Sequence, residues 1–323
     1  MSTRGSRARA RGRSSTPAAF ELGTGWLPEE RDPRDFTPEH ESVAAMLEKV
    51  GIVPFLRGKK KLPPRVDLRR WCPPVRFQGG YNDCAANVVA EMVEFFEKKA
   101  YGRSIRASRL FLYKAARNFL NLEGNAAVYI RQVMGALKLL GVPPERYWPY
   151  LKGGTLAAPT TNDPRLDAEP PAFCYALAMD YKAVSYYRFD SPTTRQSGAD
   201  LLRLARAHLA ADIPFAFGFP LYESIHQSMK RGKIPYPARR EKQLANHAVL
   251  AVGYDDRLTV RNRNPKGPST VGALLIQNSW GARWGSRGFG WVPYAFVLER
   301  HARDFWTLIK TEWVDTGQFQ VPI

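Results

Sequence analysis

A chain of 323 residues with 44% hydrophobic and 12% aromatic content holds enough apolar material for one large domain or two lobes. Its formal charge of +18 favours anionic partners such as nucleic acid, acidic lipid or acidic protein, and says nothing about fold. Three cysteines (Cys72, Cys84 and Cys174) exclude a disulfide framework, no run approaches the roughly 18 apolar residues of a membrane span, and no apolar segment follows the N-terminal charges as a secretory signal requires; a cytoplasmic protein without membrane contact is expected.

Residues 1–21 carry Arg4, Arg7, Arg9, Arg11 and Arg13 among Ser, Gly and Ala, the composition of a disordered basic arm. It reads as a solvated tail or, less favoured, as a contact for a polyanion. Residues 22–65 form an N-terminal extension in which the sign reverses, with Glu29, Glu30, Asp32, Asp35, Glu39 and Glu41, before the basic run Arg57, Lys59, Lys60, Lys61. Val43, Met46, Leu47 and Val50 mark one face of a short helix within 38–50. Such a segment either covers a cleft and is removed at the basic run, or wraps permanently on the surface; the second reading is preferred.

From Val66 the composition is globular. Helices are predicted over 84–99, 108–121 and 128–140, the last ending at Gly141 before Pro143-Pro144, and 150–171 reads as loop. Beyond it, 183–189 suggests a strand and 200–211 an amphipathic helix. Short apolar runs at 213–219, 247–254, 273–278 and 288–293 suggest antiparallel strands. A helical lobe over 66–180 and a β-rich lobe over 181–323 give an α+β arrangement with a cleft between the lobes.

The chemistry starts at Cys84. Gly79-Gly80-Tyr81-Asn82-Asp83 leads directly into the first predicted helix, with Asn82 and Asp83 as candidate N-caps. A thiol in the first turn of a helix faces unpaired N–H groups and the positive end of the macrodipole, so its pKa is expected to fall. Gln78, six residues upstream, can supply an amide donor beside it. Of the five histidines, His40, His208, His226 and His301 have no motif around them, whereas His247 opens the apolar run Ala248–Val252. Asn278 ends another apolar strand and can fix the tautomer of an imidazole, with Trp280 shielding that bond; the alternative is an ordinary strand-end turn.

Taken together, Pro74-Val75 with Gln78-Gly79 and Cys84-Ala85, then Asn246-His247-Ala248-Val249 with Gly253-Tyr254, and Asn278-Ser279-Trp280-Gly281 with Trp284-Gly285 and Gly288, resemble the three signature blocks of papain-like cysteine peptidases, in family order. The resemblance covers the chain from about Val66 onward. It implies the papain-like two-lobe fold, with Cys84 as nucleophile, His247 as general base and acid, Asn278 orienting the imidazole and Gln78 in the oxyanion hole. It also implies a peptide or protein substrate, bound near Asn246, Trp280 and a loosely matching Gly124-Asn125, and neither metal nor organic cofactor. The chain departs from the pattern at Tyr81, where the family has a disulfide-bonded cysteine, at Ala85, where an aromatic is usual, and at Asp83, whose charge opposes a lowered thiol pKa. Two alternatives remain beside peptide hydrolysis: acyl transfer or ligation on the same scaffold, and a catalytically weak binding protein using its basic surface. Lys230, Arg231, Lys233, Arg239, Arg240 and Lys242 ahead of His247, with Arg261, Arg263 and Lys266 after it, suggest acidic substrates or merely a solvated face.

Overall fold

A computed structural model describes residues 23–30, 32–150, 163–181, 185–190 and 196–314. The basic arm over 1–21 lies outside these residues.

Two short helices, α1 (Glu41–Lys49) and α2 (Val53–Leu56), and an edge strand β1 (Arg65–Asp67) precede the main body. The helical lobe contains α3 (Cys84–Tyr101), α4 (Arg109–Phe119), α5 (Ile130–Leu140) and α6 (Ala172–Ala178). Then come β2 (Ser185–Arg188), α7 (Gly198–Ala210), β3 (Phe215–Tyr222), β4 (Gln243–Arg261), β5 (Ser269–Gln277), β6 (Phe289–Pro293), α8 (Ala295–Leu298), β7 (Arg303–Ile309) and α9 (Thr311–Val314). The strands pair antiparallel in the order β2-β7-β3-β4-β5-β6, with β1 on β4.

Helix α3 organises the interior. Its apolar residues cover most of its circumference: Val88, Val89, Met92, Val93, Phe95 and Phe96 are all buried, the helix packs against α4, α5 and β4, and Phe96 stacks on Trp313 of α9. Gly102, at φ 71, ends it by returning its N–H to the Lys98 carbonyl. At the other end the capping expectation is corrected. Asp83 occupies the N-cap position without a side-chain cap bond; its carboxylate instead accepts from the Tyr150 hydroxyl at 2.7 Å. The Asn82 amide donates to the Asn125 carbonyl at 2.8 Å. Both side chains are drawn away by partners distant in sequence, which the local pattern does not reveal.

The extension is built into this body. Val43, Leu47, Val50, Ile52 and Phe55 join the core, while Arg57 and Lys59–Lys61 are exposed. Strand β4 crosses the sheet beside the start of α3, and this junction positions the site.

Candidate active site

Cys84 is the first residue of α3, and its sulfur accepts the Ala248 N–H of β4 at 3.4 Å. His247 is the residue before Ala248, so the strand that touches the thiol also carries the imidazole. Strand pairing holds the imidazole in place, since His247 sits opposite Phe219 on β3. The ring stacks on Trp280 with centroids 4.6 Å apart and planes at 22°.

The tautomer follows from the bonds. Asn278 Oδ1 accepts the Ser279 N–H at 2.8 Å, which identifies it as the oxygen, and the same atom bonds His247 Nε2 at 2.8 Å. Nε2 therefore carries the proton. Nδ1, buried and without a hydrogen-bond partner, has a free lone pair. Burial pushes the His247 pKa down to about 4 against the raising effect of Asn278, so the ring is neutral. The Cys84 thiol is pushed up to about 12, chiefly by burial and also by Asp83, against the N–H groups of Ala248, Ala85 and Trp26. The expectation of a lowered thiol pKa fails in this state. A helix start stabilises a thiolate only where the thiol is not also sealed from water, and Cys84 and His247 are both fully buried.

The seal is the chain's own extension. Residues Gly23–Leu27 run along the cleft as a strap. The Thr24 carbonyl accepts from the Cys84 N–H at 3.3 Å and from Gln78 Nε2 at 3.3 Å. Gly23 donates to the Gly79 carbonyl at 2.9 Å, and its own carbonyl takes the Trp280 indole N–H at 2.9 Å. On the other side, the Gly25 N–H donates to the Asn246 carbonyl at 3.4 Å, the Gly25 carbonyl accepts from Val128 at 3.0 Å, and Leu27 donates to Val128 at 3.3 Å. Trp26 and Val128 pair in the parallel sense. Gly25 has φ 108, and a Cβ there would meet the Asn82 carbonyl oxygen at 2.1 Å, so only glycine fits.

Gln78 is itself held. Its Nε2 also donates to the Tyr81 carbonyl at 2.7 Å, and its Oε1 accepts the Ser279 hydroxyl. In the sequence, only its place between Asn278 and Trp280 points to Ser279. Asn246 and Trp280 both bond the strap backbone. Gly124 and Asn125 direct their hydrogen bonds elsewhere: the Gly124 N–H goes to Asp167 at 2.8 Å, and the Asn125 side chain serves Asn82 and Gly80. Val128, four residues beyond Gly124, supplies the backbone edge along the cleft. Among the described residues no group of His, Cys, Asp or Glu side chains is arranged to hold a metal ion, and no helix is long and apolar enough to cross a membrane. All three cysteines are unpaired.

A family model described as papain family cysteine protease matches residues 62–295. An uncharacterized peptidase C1-like protein of Acanthamoeba polyphaga mimivirus is 30% identical over 237 residues, 72% of this chain and 68% of that protein. Pro-cathepsin H of Bos taurus is 26% identical over 260 residues, 76% of this chain and 62% of that protein. Among solved structures, xylellain, a cysteine protease from Xylella fastidiosa, superposes with a TM-score of 0.69 at 29% identity, covering 90% of this chain and 97% of that one. Procathepsin B from Trypanosoma congolense shares the fold at 15% identity, with a TM-score of 0.56 over 90% of this chain and 88% of that one.

Proposed function

We propose that this chain, which belongs to the papain family of cysteine proteases, hydrolyses peptide bonds through a thioester on Cys84, and that the strapped state is its latent form. The observation that carries this reading is the Thr24 carbonyl between the Cys84 N–H and Gln78 Nε2. A carbonyl oxygen already lies where an oxyanion would form, with two donors aimed at it.

In the reaction, His247 Nδ1 takes the Cys84 proton and the thiolate attacks the substrate carbonyl carbon. The oxyanion forms against the Cys84 N–H and Gln78. Collapse breaks the C–N bond, and the imidazolium passes its proton to the leaving amine. Water, deprotonated by His247, then attacks the thioester and releases the acid and the thiol. Asn278 holds the imidazole in the tautomer this sequence needs, while Asn246 and Trp280 bind the substrate backbone.

The strap fills this machinery without meeting its demands. The nitrogen of the Thr24–Gly25 peptide bond donates to Asn246 instead of facing His247. A substrate with its acyl half along Val128 and its leaving nitrogen toward His247 would run opposite to the strap. Three unpaired thiols suit a reducing compartment, and we assign the chain to the cytoplasm.

The test is intact-mass analysis after treatment with a thiol-directed peptidyl epoxide. The full chain should label slowly, Gly25→Ala at least about tenfold faster at Cys84 because its strap no longer fits, and Cys84→Ala not at all. Labelling at Cys72 or Cys174 with none at Cys84 would falsify the assignment.

A further inference from the structure

The strap places one large side chain in the cleft, and that side chain reports on the pocket beneath it. Trp26 is 2% exposed. Its ring lies against Gly218 of β3, where an added Cβ would come within 2.1 Å of the indole. Its Nε1 donates to Asp304 Oδ2 at 2.9 Å, and the Glu29 backbone N–H donates to the same oxygen at 3.0 Å. The other Asp304 oxygen faces Arg188 Nη2 at 3.2 Å.

The acid is aimed by the backbone. Asp304 lies near the start of β7 with φ 58, and the β3–β7 pairing shifts between Ala216 and Gly218. Its N–H is held by Asp190 at 2.8 Å, and the residue is 1% exposed. A non-glycine residue held left-handed at a sheet irregularity, with its carboxylate turned into a buried pocket, carries strain that packing alone does not require.

One donor to Oδ2, the Trp26 indole, comes from the strap, and the other, the Glu29 N–H, from just beyond its end. When the strap leaves, that buried oxygen loses the indole bond unless the incoming group supplies an N–H. We infer that Gly218 and Asp304 form a side-chain specificity pocket that selects, at the substrate residue preceding the one whose carbonyl is attacked, a flat side chain with an N–H donor at its far edge, tryptophan above all. The position follows from the strap, where one residue separates the carbonyl at Cys84 from Trp26, and from the opposite run of a substrate. The inference rests on the reading given under Proposed function. An acidic side chain in this pocket would face Asp304, so the basic residues that flank His247 in the sequence do not set this preference.

Two arms test it. In the full chain, the rate of Cys84 alkylation by iodoacetamide should rise about tenfold or more for Trp26→Phe, which keeps a ring and removes the donor, and further for Trp26→Ala. In an Asp304→Ala background the difference between tryptophan and phenylalanine at 26 should fall below about twofold. Alkylation of Trp26→Phe as slow as the parent overturns the inference whether or not Asp304→Ala folds. In the second arm, Trp26→Ala is given peptides that differ only at the selected position. Tryptophan should exceed phenylalanine by about tenfold in kcat/KM, with glutamate lowest. Equal values overturn the pocket. Turnover of no peptide counts against the peptidase assignment, and the alkylation arm then decides the pocket alone.

Discussion

Ser279 shows how much of the site depends on a residue that takes no part in bond making. Its N–H fixes the Asn278 oxygen, and its hydroxyl fixes the Gln78 oxygen, so one residue sets the direction of both amides. With Gln78 Oε1 held by a donor, its Nε2 must face the oxyanion position and the Tyr81 carbonyl. In the strap-released Gly25→Ala chain, Ser279→Ala is expected to lower kcat about tenfold with KM little changed, because the lost positioning matters most once charge develops on the oxygen. Adding it to Gln78→Ala should cost nothing further. Steady-state kinetics on the three variants checks this, and losses that multiply would show that Ser279 acts elsewhere. The four residues Gln78, Cys84, His247 and Asn278 were legible because each lies in a short block whose spacing carries its chemistry. Ser279 and Val128 were not, because their roles are defined only by what the folded chain sets opposite them.

At the scale of elements, the helices were readable and the sheet only in part. The 3.6-residue pattern of α3, α4 and α5 is written within each segment, so their limits fall within about two residues of expectation. Strand β4 extends from Gln243 to Arg261, well past the apolar run 247–254, because β3 and β5 pair with its polar ends. Strand β7 begins with Arg303 and Asp304, charges that mask it in sequence; Arg303 is exposed and Asp304 turns inward to Trp26. Helix α3 also carries acids no periodicity explains. Burial pushes Glu91 and Glu94 up to about 7 and Asp83 up to about 6, against the lowering influence of Arg76 and Arg109. The folded chain thus binds protons that the unfolded chain has already released near pH 4. Their stabilising contribution is complete below the ordinary carboxylate range and is lost as pH rises through about 7. Urea unfolding should therefore show the parent losing stability between pH 5 and 8 more steeply than Glu91→Gln, by up to about 1.4 kcal/mol per pH unit for the one proton removed. Parallel curves for the two proteins would refute the linkage.

The whole molecule ties its extension to both lobes through one buried charge cluster. The Arg131 N–H on α5 donates to Glu29 at 2.5 Å, Arg131 Nε donates to Asp35 at 2.8 Å, and Arg188 on β2 reaches Asp35 at 3.2 Å and Asp190 at 3.0 Å. For residues 22–65 a permanent surface wrap is preferred in the sequence over a removable cleft cover, and no motif there marks Gly23-Thr24-Gly25. What fits that tripeptide to the cleft is the shape of the cleft, which sequence does not display. The cluster also gives the strap a pH response. Burial and the nearby Asp304 hold the Glu29 carboxyl well above the ordinary range, outweighing the two arginines. Docking then favours protonated Glu29. It is strongest below the ordinary glutamate pKa and weakens as the pH climbs through neutrality, so the strap should open toward alkaline pH. Thiol ionisation also speeds labelling with pH, and comparison with Glu29→Gln, which stays neutral, cancels it. The ratio of parent to variant rates of Cys84 labelling should climb severalfold between pH 5 and pH 9. A flat ratio would show that Glu29 does not carry the response. Cutting the exposed run at Arg57–Lys61 should not by itself open the cleft, because Val43, Leu47 and Phe55 keep the severed segment in the core. Release needs the charge cluster to loosen as well, so after such a cut the rate of Cys84 labelling relative to an equally cut Glu29→Gln chain should rise from pH 5 to pH 9.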